Sequence, residues 1–235
     1  MPMYVWKPSL SNWLEGFIFV VIWRIVCEFN RQSLITALTT TNIMKFFLFH
    51  CWGASGKSCW SGWLREQLIS SGMASETTAL IPDFPNSENP KLKEWLVTAR
   101  NLVPEFDLKD DWVLIGHSLG CPTILRLLET FGKSEKVACI ILVASFAKDL
   151  GIGEIKNFVD KDFDWEKIKK KAGKIIIINS DNDPYIKLDE ARRMEKLLGA
   201  ELIVEHNAGH INEGAGFDEY PHLLEIIKEW RKGKI

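Results

Sequence analysis

The chain has 235 residues, with 29 Lys+Arg against 31 Asp+Glu and a net charge of −2 at pH 7. That balance leaves no basic excess to neutralise a phosphate backbone, which excludes nucleic acid as an expected partner. At 46% apolar and 26% charged, with 16 Gly and 9 Pro, the composition excludes disordered, collagenous and low-complexity classes and suffices for one large core.

Residues 1–43 read as an N-terminal extension. Phe17–Cys27 (FIFVVIWRIVC) is apolar except for Arg24, but its uncharged stretch Phe17–Trp23 is far shorter than the roughly 20 residues of a bilayer span. Only Lys7 precedes it, Glu15 adjoins it and no small-residue cleavage site follows, so secretion is not expected either. A membrane-surface helix is the competing reading of this stretch. Gln32–Asn42 is polar and Thr-rich, and Met44 then stands directly before KFFLFH. Met44 is therefore a candidate initiation residue, and 44–235 is the expected folded domain. The five cysteines show no C-x-x-C and no Cys/His ligand spacing, so reduced thiols, no metal and a cytoplasmic location are expected.

From Lys45 onward, β-branched and aromatic runs alternate with longer amphipathic ones, the rhythm of βαβ units. Strands are predicted at Lys45–Phe49, Thr77–Ile81, Trp112–Ile115, Val137–Val143, Lys174–Ile178 and Glu201–Glu205. Several are solid apolar runs, as in a parallel sheet covered on both faces. Helical stripes fall on Trp60, Trp63, Leu64 and Leu68, on Ile124, Leu127, Leu128 and Phe131 with Gly132 as a stop, and on Leu223, Ile226, Ile227 and Trp230 after Pro221. The predicted fold is an α/β three-layer sandwich, a mostly parallel sheet of about six strands with helices on both faces. Ligands of such sheets collect at the carboxyl ends of the strands.

Gly116-His117-Ser118-Leu119-Gly120 follows a predicted strand and opens a predicted helix, which is the G-x-S-x-G elbow in its required setting. The sharp turn lifts Ser118 Oγ above the sheet edge. Leu119 N–H, at a helix N-terminus, suits one half of an oxyanion hole. Serine needs a base and an acid that orients the base. Asn179-Ser180-Asp181-Asn182-Asp183-Pro184 offers two carboxylates after the next-to-last strand, of which Asp183, fixed by Pro184, is preferred and Asp181 is expected to bond loop amides. His206-Asn207-Ala208-Gly209-His210 offers two imidazoles after the last strand, of which His210 is preferred. The order Ser118, Asp183, His210 is that of α/β-hydrolases.

Residues 45–231 resemble the small serine hydrolases related to retinoblastoma-binding protein nine. The resemblance rests on His50 with Gly53-Ala54-Ser55 and Trp60, the GHSLG elbow, Asp149-Leu150-Gly151 with the Phe163–Ile168 segment, Asp183-Pro184 and Gly209-His210. It implies an α/β-hydrolase fold, a Ser118–His210–Asp183 triad, and hydrolysis of esters or related acyl bonds of small molecules without metal or organic cofactor. The second oxyanion amide is expected at Trp52, in the loop after the first strand. Relatives carry glycine where this chain has Cys51, a residue that disfavours positive φ. Ala147–Lys171, with Phe158, Phe163 and Trp165, is expected to cap the site, and His50, His117 and Trp165 complete the expected substrate-binding set. No membrane partner is expected, and the oligomeric state is expected to be a monomer or small homo-oligomer. Leu119-Gly120-Cys121-Pro122-Thr123 lacks the Glu of an L-x-C-x-E motif.

Two rival readings exist. Cys51–Ser58 approximates a P-loop with Cys51 in place of the first glycine, and the elbow could belong to a hydrolase-fold binding module without turnover.

Overall fold

Aliphatic runs without polar alternation can bury both faces only in the middle layer of a sandwich, and that is where the computed structural model puts them. It describes residues 43–104, 106 and 111–233, so the predicted extension, apart from Ile43, lies outside the described residues. The strands are β1 Lys45–Phe49, β2 Ala79–Leu80, β3 Trp112–His117, β4 Val137–Val143, β5 Ala172–Ser180 and β6 Glu201–Glu205. They form one sheet in the order β2-β1-β3-β4-β5-β6, every pair parallel.

Alternate residues feed two cores. Phe46, Leu48, Val113, Ile115, Ile176 and Ile178 face one, and Phe47, Phe49, Leu114, Ile175 and Ile177 face the other. Helices α1 (Ser61–Ser70) and α6 (Pro221–Arg231) cover the first face through Leu64, Leu68, Leu223 and Ile227. Helices α2 (Leu92–Leu102), α3 (Gly120–Glu129), α4 (Trp165–Lys171) and α5 (Leu188–Leu198) cover the second through Trp95, Ile124, Ile168 and Met194. Right-handed crossovers dictate this division, because β1 connects outward to β2 in one direction while β2 to β6 proceed in the other. The direction reverses between β1 and β3, and the crevice above such a switch point is where doubly wound sheets hold ligands.

Four elements differ from the sequence reading, and the first is β5, which runs two residues further at each end, Ala172–Ser180 rather than Lys174–Ile178. Thr77 and Thr78 precede β2 rather than join it, because Thr78 Oγ1 accepts the Ser75 N–H at 2.8 Å and closes a turn there. Strand β3 continues through Gly116 and His117, paired with Leu142 and Val143 of β4. Gly132 is not the stop of α3, which ends at Glu129 with Thr130 still right-handed; the Gly132 N–H bonds Glu135 Oε2 at 2.7 Å instead. Among the described residues, no helix is long and apolar enough to cross a membrane.

Candidate active site

Strand β3 delivers Ser118 at φ 51°, a left-handed backbone that non-glycine residues seldom adopt. Two hydrogen bonds hold it there: Ser118 N–H donates to the Val143 carbonyl at 2.9 Å, and its own carbonyl accepts the Cys121 N–H at 2.9 Å. The turn closes tightly against β1. A Cβ on Gly120 would lie 2.1 Å from the Phe49 carbonyl oxygen, which no side chain can occupy. Leu119 caps α3, and its N–H has no acceptor among the described residues.

The loops after β5 and β6 are stitched together residue by residue. Ser180 Oγ accepts the Ala208 N–H at 3.1 Å and Asn182 Oδ1 accepts the Gly209 N–H at 2.8 Å. Asp183 Oδ2 lies 2.8 Å from His210 Nδ1, and Asp183 Oδ1 accepts the Tyr185 and Ile186 N–H groups at 2.8 and 3.0 Å. Asp181 forms a parallel pair, with Oδ2 at 2.6 Å from His206 Nδ1 and Oδ1 accepting the Asn207 N–H at 2.9 Å. The two Asp–His pairs differ in burial: side-chain exposure is 0% and 11% for Asp183 and His210, against 34% and 78% for Asp181 and His206. Of the two histidines, His210 and not His206 lines the cavity that holds Ser118 among the described residues.

That cavity, of about 200 Å³, is lined by Cys51, Trp52, Ser118, His210, an aliphatic wall of Leu150, Ile152, Ile155 and Ile186, and Tyr185 and Asn212 at its edge. Tyr185 stands edge-on to His210 with ring centroids 5.0 Å apart. The cap segment thus reaches the cavity through aliphatic residues after β4, and two charged anchors fasten it. Arg126, buried on α3, stacks on Phe163 at 3.7 Å and donates to the carbonyls of Phe158, Lys161 and Asp162. Glu190, 1% exposed, accepts the Ala147 N–H at 3.1 Å and pairs with Arg193 and Lys148.

Burial alone raises the Glu190 pKa, but bonds from Arg193, Ala147 and Lys148 outweigh it and hold the carboxyl below its ordinary value of 4.5. A depressed folded-state pKa makes this stabilisation complete above the unfolded value and removes it as pH falls through the folded one. Glu190→Gln is expected to cost about 2 kcal/mol near pH 7, since the exposed partners Arg193 and Lys148 are solvent-screened. The gap between urea melts of the two proteins should be fully open above pH 4.5 and close as pH falls through the depressed folded-state pKa of Glu190; a gap that stays unchanged on acidification would show that the carboxylate charge is not what anchors the cap.

Three residues of the expected substrate-binding set do not line this cavity. His50, 2% exposed, lies between Phe84 and Trp95 with centroids 5.4 and 5.0 Å away. Its Nε2 accepts the Phe84 N–H at 2.9 Å, so Nδ1 carries the proton and donates to the Cys51 carbonyl at 2.8 Å. Burial depresses its pKa, keeping the ring neutral for both bonds. His117, 2% exposed, packs on Trp60 and bonds the His210 carbonyl through Nε2 at 3.0 Å, supporting the His210 loop. Trp165 packs on Phe163 and under Arg193, outside the cavity. Trp60, whose Nε1 donates to the Ile211 carbonyl at 3.0 Å, is a second support of that loop.

The backbone at Cys51 is also relieved of its expected conflict, since Cys51 does not take a positive φ and Gly53 does, at 66°. Trp52 N–H has no acceptor among the described residues, while its indole donates to the Glu88 carbonyl at 2.9 Å. The P-loop reading fails on the same loop. Ser55 N–H bonds Ser58 Oγ at 3.0 Å and Gly56 N–H bonds Asp83 Oδ1 at 2.8 Å, so these amides face protein acceptors rather than a phosphate. Gly56 is required because its backbone presses on Ile81, whose carbonyl oxygen would lie 2.0 Å from a Cβ.

Comparison with known proteins agrees with this architecture. YdeN of Bacillus subtilis (strain 168) is 29% identical over 185 residues, 78% of this chain and 94% of YdeN. The crystal structure of the ydeN gene product superposes with a TM-score of 0.74, covering 80% of this chain and 99% of that one. Serine hydrolase RBBP9 of Rattus norvegicus is 26% identical over 171 residues, 72% of this chain and 84% of RBBP9. Est1E from Butyrivibrio proteoclasticus, at 14% identity and a TM-score of 0.59 over 81% of this chain and 88% of its own, shares the fold. The sheet order and these neighbours define an α/β-hydrolase fold, and since the serine hydrolase family model matches residues 46–229, the chain belongs to the serine hydrolase family.

Proposed function

We propose that the protein hydrolyses esters of short acyl chains on small molecules through Ser118, His210 and Asp183. The observation that carries this reading is one cavity lined by both Ser118 and His210, with Asp183 fixed on the far nitrogen of His210. Asp183 accepts a hydrogen bond from Nδ1–H, which leaves the Nε2 lone pair to take the Ser118 proton as Oγ attacks the acyl carbon. His210 then gives that proton to the departing alkoxide, and water, activated by the same nitrogen, releases the acid from the acyl-enzyme.

The oxyanion falls to the Leu119 and Trp52 amides. His50 is a positioning residue for the second of these. The Cys51 carbonyl and the Trp52 N–H belong to one planar trans peptide, so a carbonyl held by His50 Nδ1 at 2.8 Å aims the N–H in the opposite direction.

A cavity near 200 Å³ has room for about seven waters, and its aliphatic wall favours a short alkyl group. Expected is hydrolysis of p-nitrophenyl butyrate with kcat/KM at least about tenfold above that for the palmitate ester. Ile155→Ala should move the preference toward longer chains. Equal rates on both esters would overturn the assignment of the aliphatic wall to the acyl group.

A further inference from the structure

Cys51 and Cys59 are eight residues apart and His117 lies 58 further along, a spacing that carries no metal signature. The fold gathers them nonetheless. One ligand atom from each, the two sulfurs and a ring nitrogen, lie within 4.8 Å of one another. Cys51 follows β1 and His117 ends β3, and these strands are parallel neighbours, so both emerge at the same sheet edge. Cys59 comes from the turn before α1 at φ 53°, a strained backbone for a residue other than glycine. Its N–H is held by the Glu213 carboxylate.

Two further features point to a cation. The His117 Nε2 contact with the His210 carbonyl, 3.0 Å long, is a hydrogen bond only when Nε2 carries the proton, which leaves the Nδ1 lone pair facing Cys59. A ring N–H donated to a backbone carbonyl is the outer bond that orients metal-ligating histidines. Glu213 adds a negative charge beside Cys59. An ion at zinc–sulfur and zinc–nitrogen distances sets its ligand atoms about 3.3–3.8 Å apart, so the three atoms need close by no more than about 1.5 Å.

We propose that Cys51, Cys59 and His117 bind one borderline-soft divalent cation of the zinc class, through two thiolates and one imidazole with solvent in the fourth position. Binding releases to solvent whatever protons the two sulfurs carry and changes no oxidation state. The site adjoins the cavity, because Cys51 lines it and His117 directly precedes Ser118. Drawing these residues together shifts the Trp52 amide and the Ser118 turn, so occupancy inhibits; this second half rests on the ester-hydrolase reading above.

The test uses the untagged, reduced full chain and cobalt(II) chloride as the probe. Expected is a thiolate-to-cobalt charge-transfer band that saturates at one equivalent, is bleached by zinc, and is lost in Cys59→Ala. Cys51→Ser, checked by circular dichroism, gives the same loss should Cys59→Ala fold poorly. No such band in folded wild type, or an undiminished band in both variants, overturns the site. One equivalent of zinc should lower butyrate-ester hydrolysis by at least about tenfold, reversibly with chelator, while leaving Cys59→Ala unaffected. Wild type that binds cobalt yet hydrolyses the ester unchanged overturns the inhibition. Absence of any hydrolysis by metal-free protein counts against the ester reading alone, because the cobalt spectrum decides the site independently.

Discussion

Ser118→Ala is expected to lower kcat for butyrate-ester hydrolysis by on the order of 10⁵-fold while leaving the thermal midpoint nearly unchanged. The size follows from what remains: without Oγ there is no acyl-enzyme, and only cavity binding and the oxyanion amides still act on the ester. The stability expectation follows from the turn. The bonds that hold position 118 run through its backbone, to Val143 and from Cys121, and alanine keeps both. Alanine tolerates φ 51° no better and no worse than serine. Retention of more than about a tenth of the activity, with folding verified by calorimetry, would remove Ser118 as the nucleophile.

The second large effect separates the two Asp–His pairs. Asp183→Asn is expected to lower kcat about 10⁴-fold with little change in KM. Asparagine Oδ1 still accepts the Tyr185 and Ile186 amides, so the loop persists. Its NH₂ group, however, now faces His210 Nδ1, which can only accept from it. The proton therefore moves to Nε2 and the base is lost. Asp181→Asn makes the same chemical change in a pair whose histidine is 78% exposed and should alter kcat by less than about threefold. Comparable losses in both variants would mean that loop order, rather than the His210 tautomer, is what Asp183 supplies.

How much of this was legible in the sequence depends on which physical signal each residue carries. The sheet was readable because the fully buried strands are apolar throughout, whereas β2, only two residues long, was overestimated when Thr77 and Thr78 were read as β-formers rather than as turn hydroxyls. Ser118 was readable because a nucleophile elbow needs glycines where backbones touch, and Gly120 meets Phe49 there. Asp183 and Asp181 could be ranked only by local turn chemistry, since both carboxylates do find a histidine; burial is what distinguishes them. The burial of His50 and His117 was not legible, because a polar residue at a strand end shows its chemistry but not its direction, and neither lines the cavity. Trp165 drew attention as an aromatic, yet the wall of the cavity is built by Leu150, Ile152 and Ile155, aliphatics with no spacing signal. The residues that fasten the cap, Arg126 and Glu190, look like ordinary surface charges of amphipathic helices until their long-range partners are known. The Cys51–Cys59–His117 cluster was invisible for the same reason.

The most direct test of an activated Ser118 needs no knowledge of the substrate. Purified wild type and Ser118→Ala are treated with a fluorophosphonate probe and weighed as intact proteins. Wild type should gain the mass of a single probe group and the variant none; a folded wild type that stays unlabelled, or a variant that labels equally, would contradict a serine nucleophile at position 118.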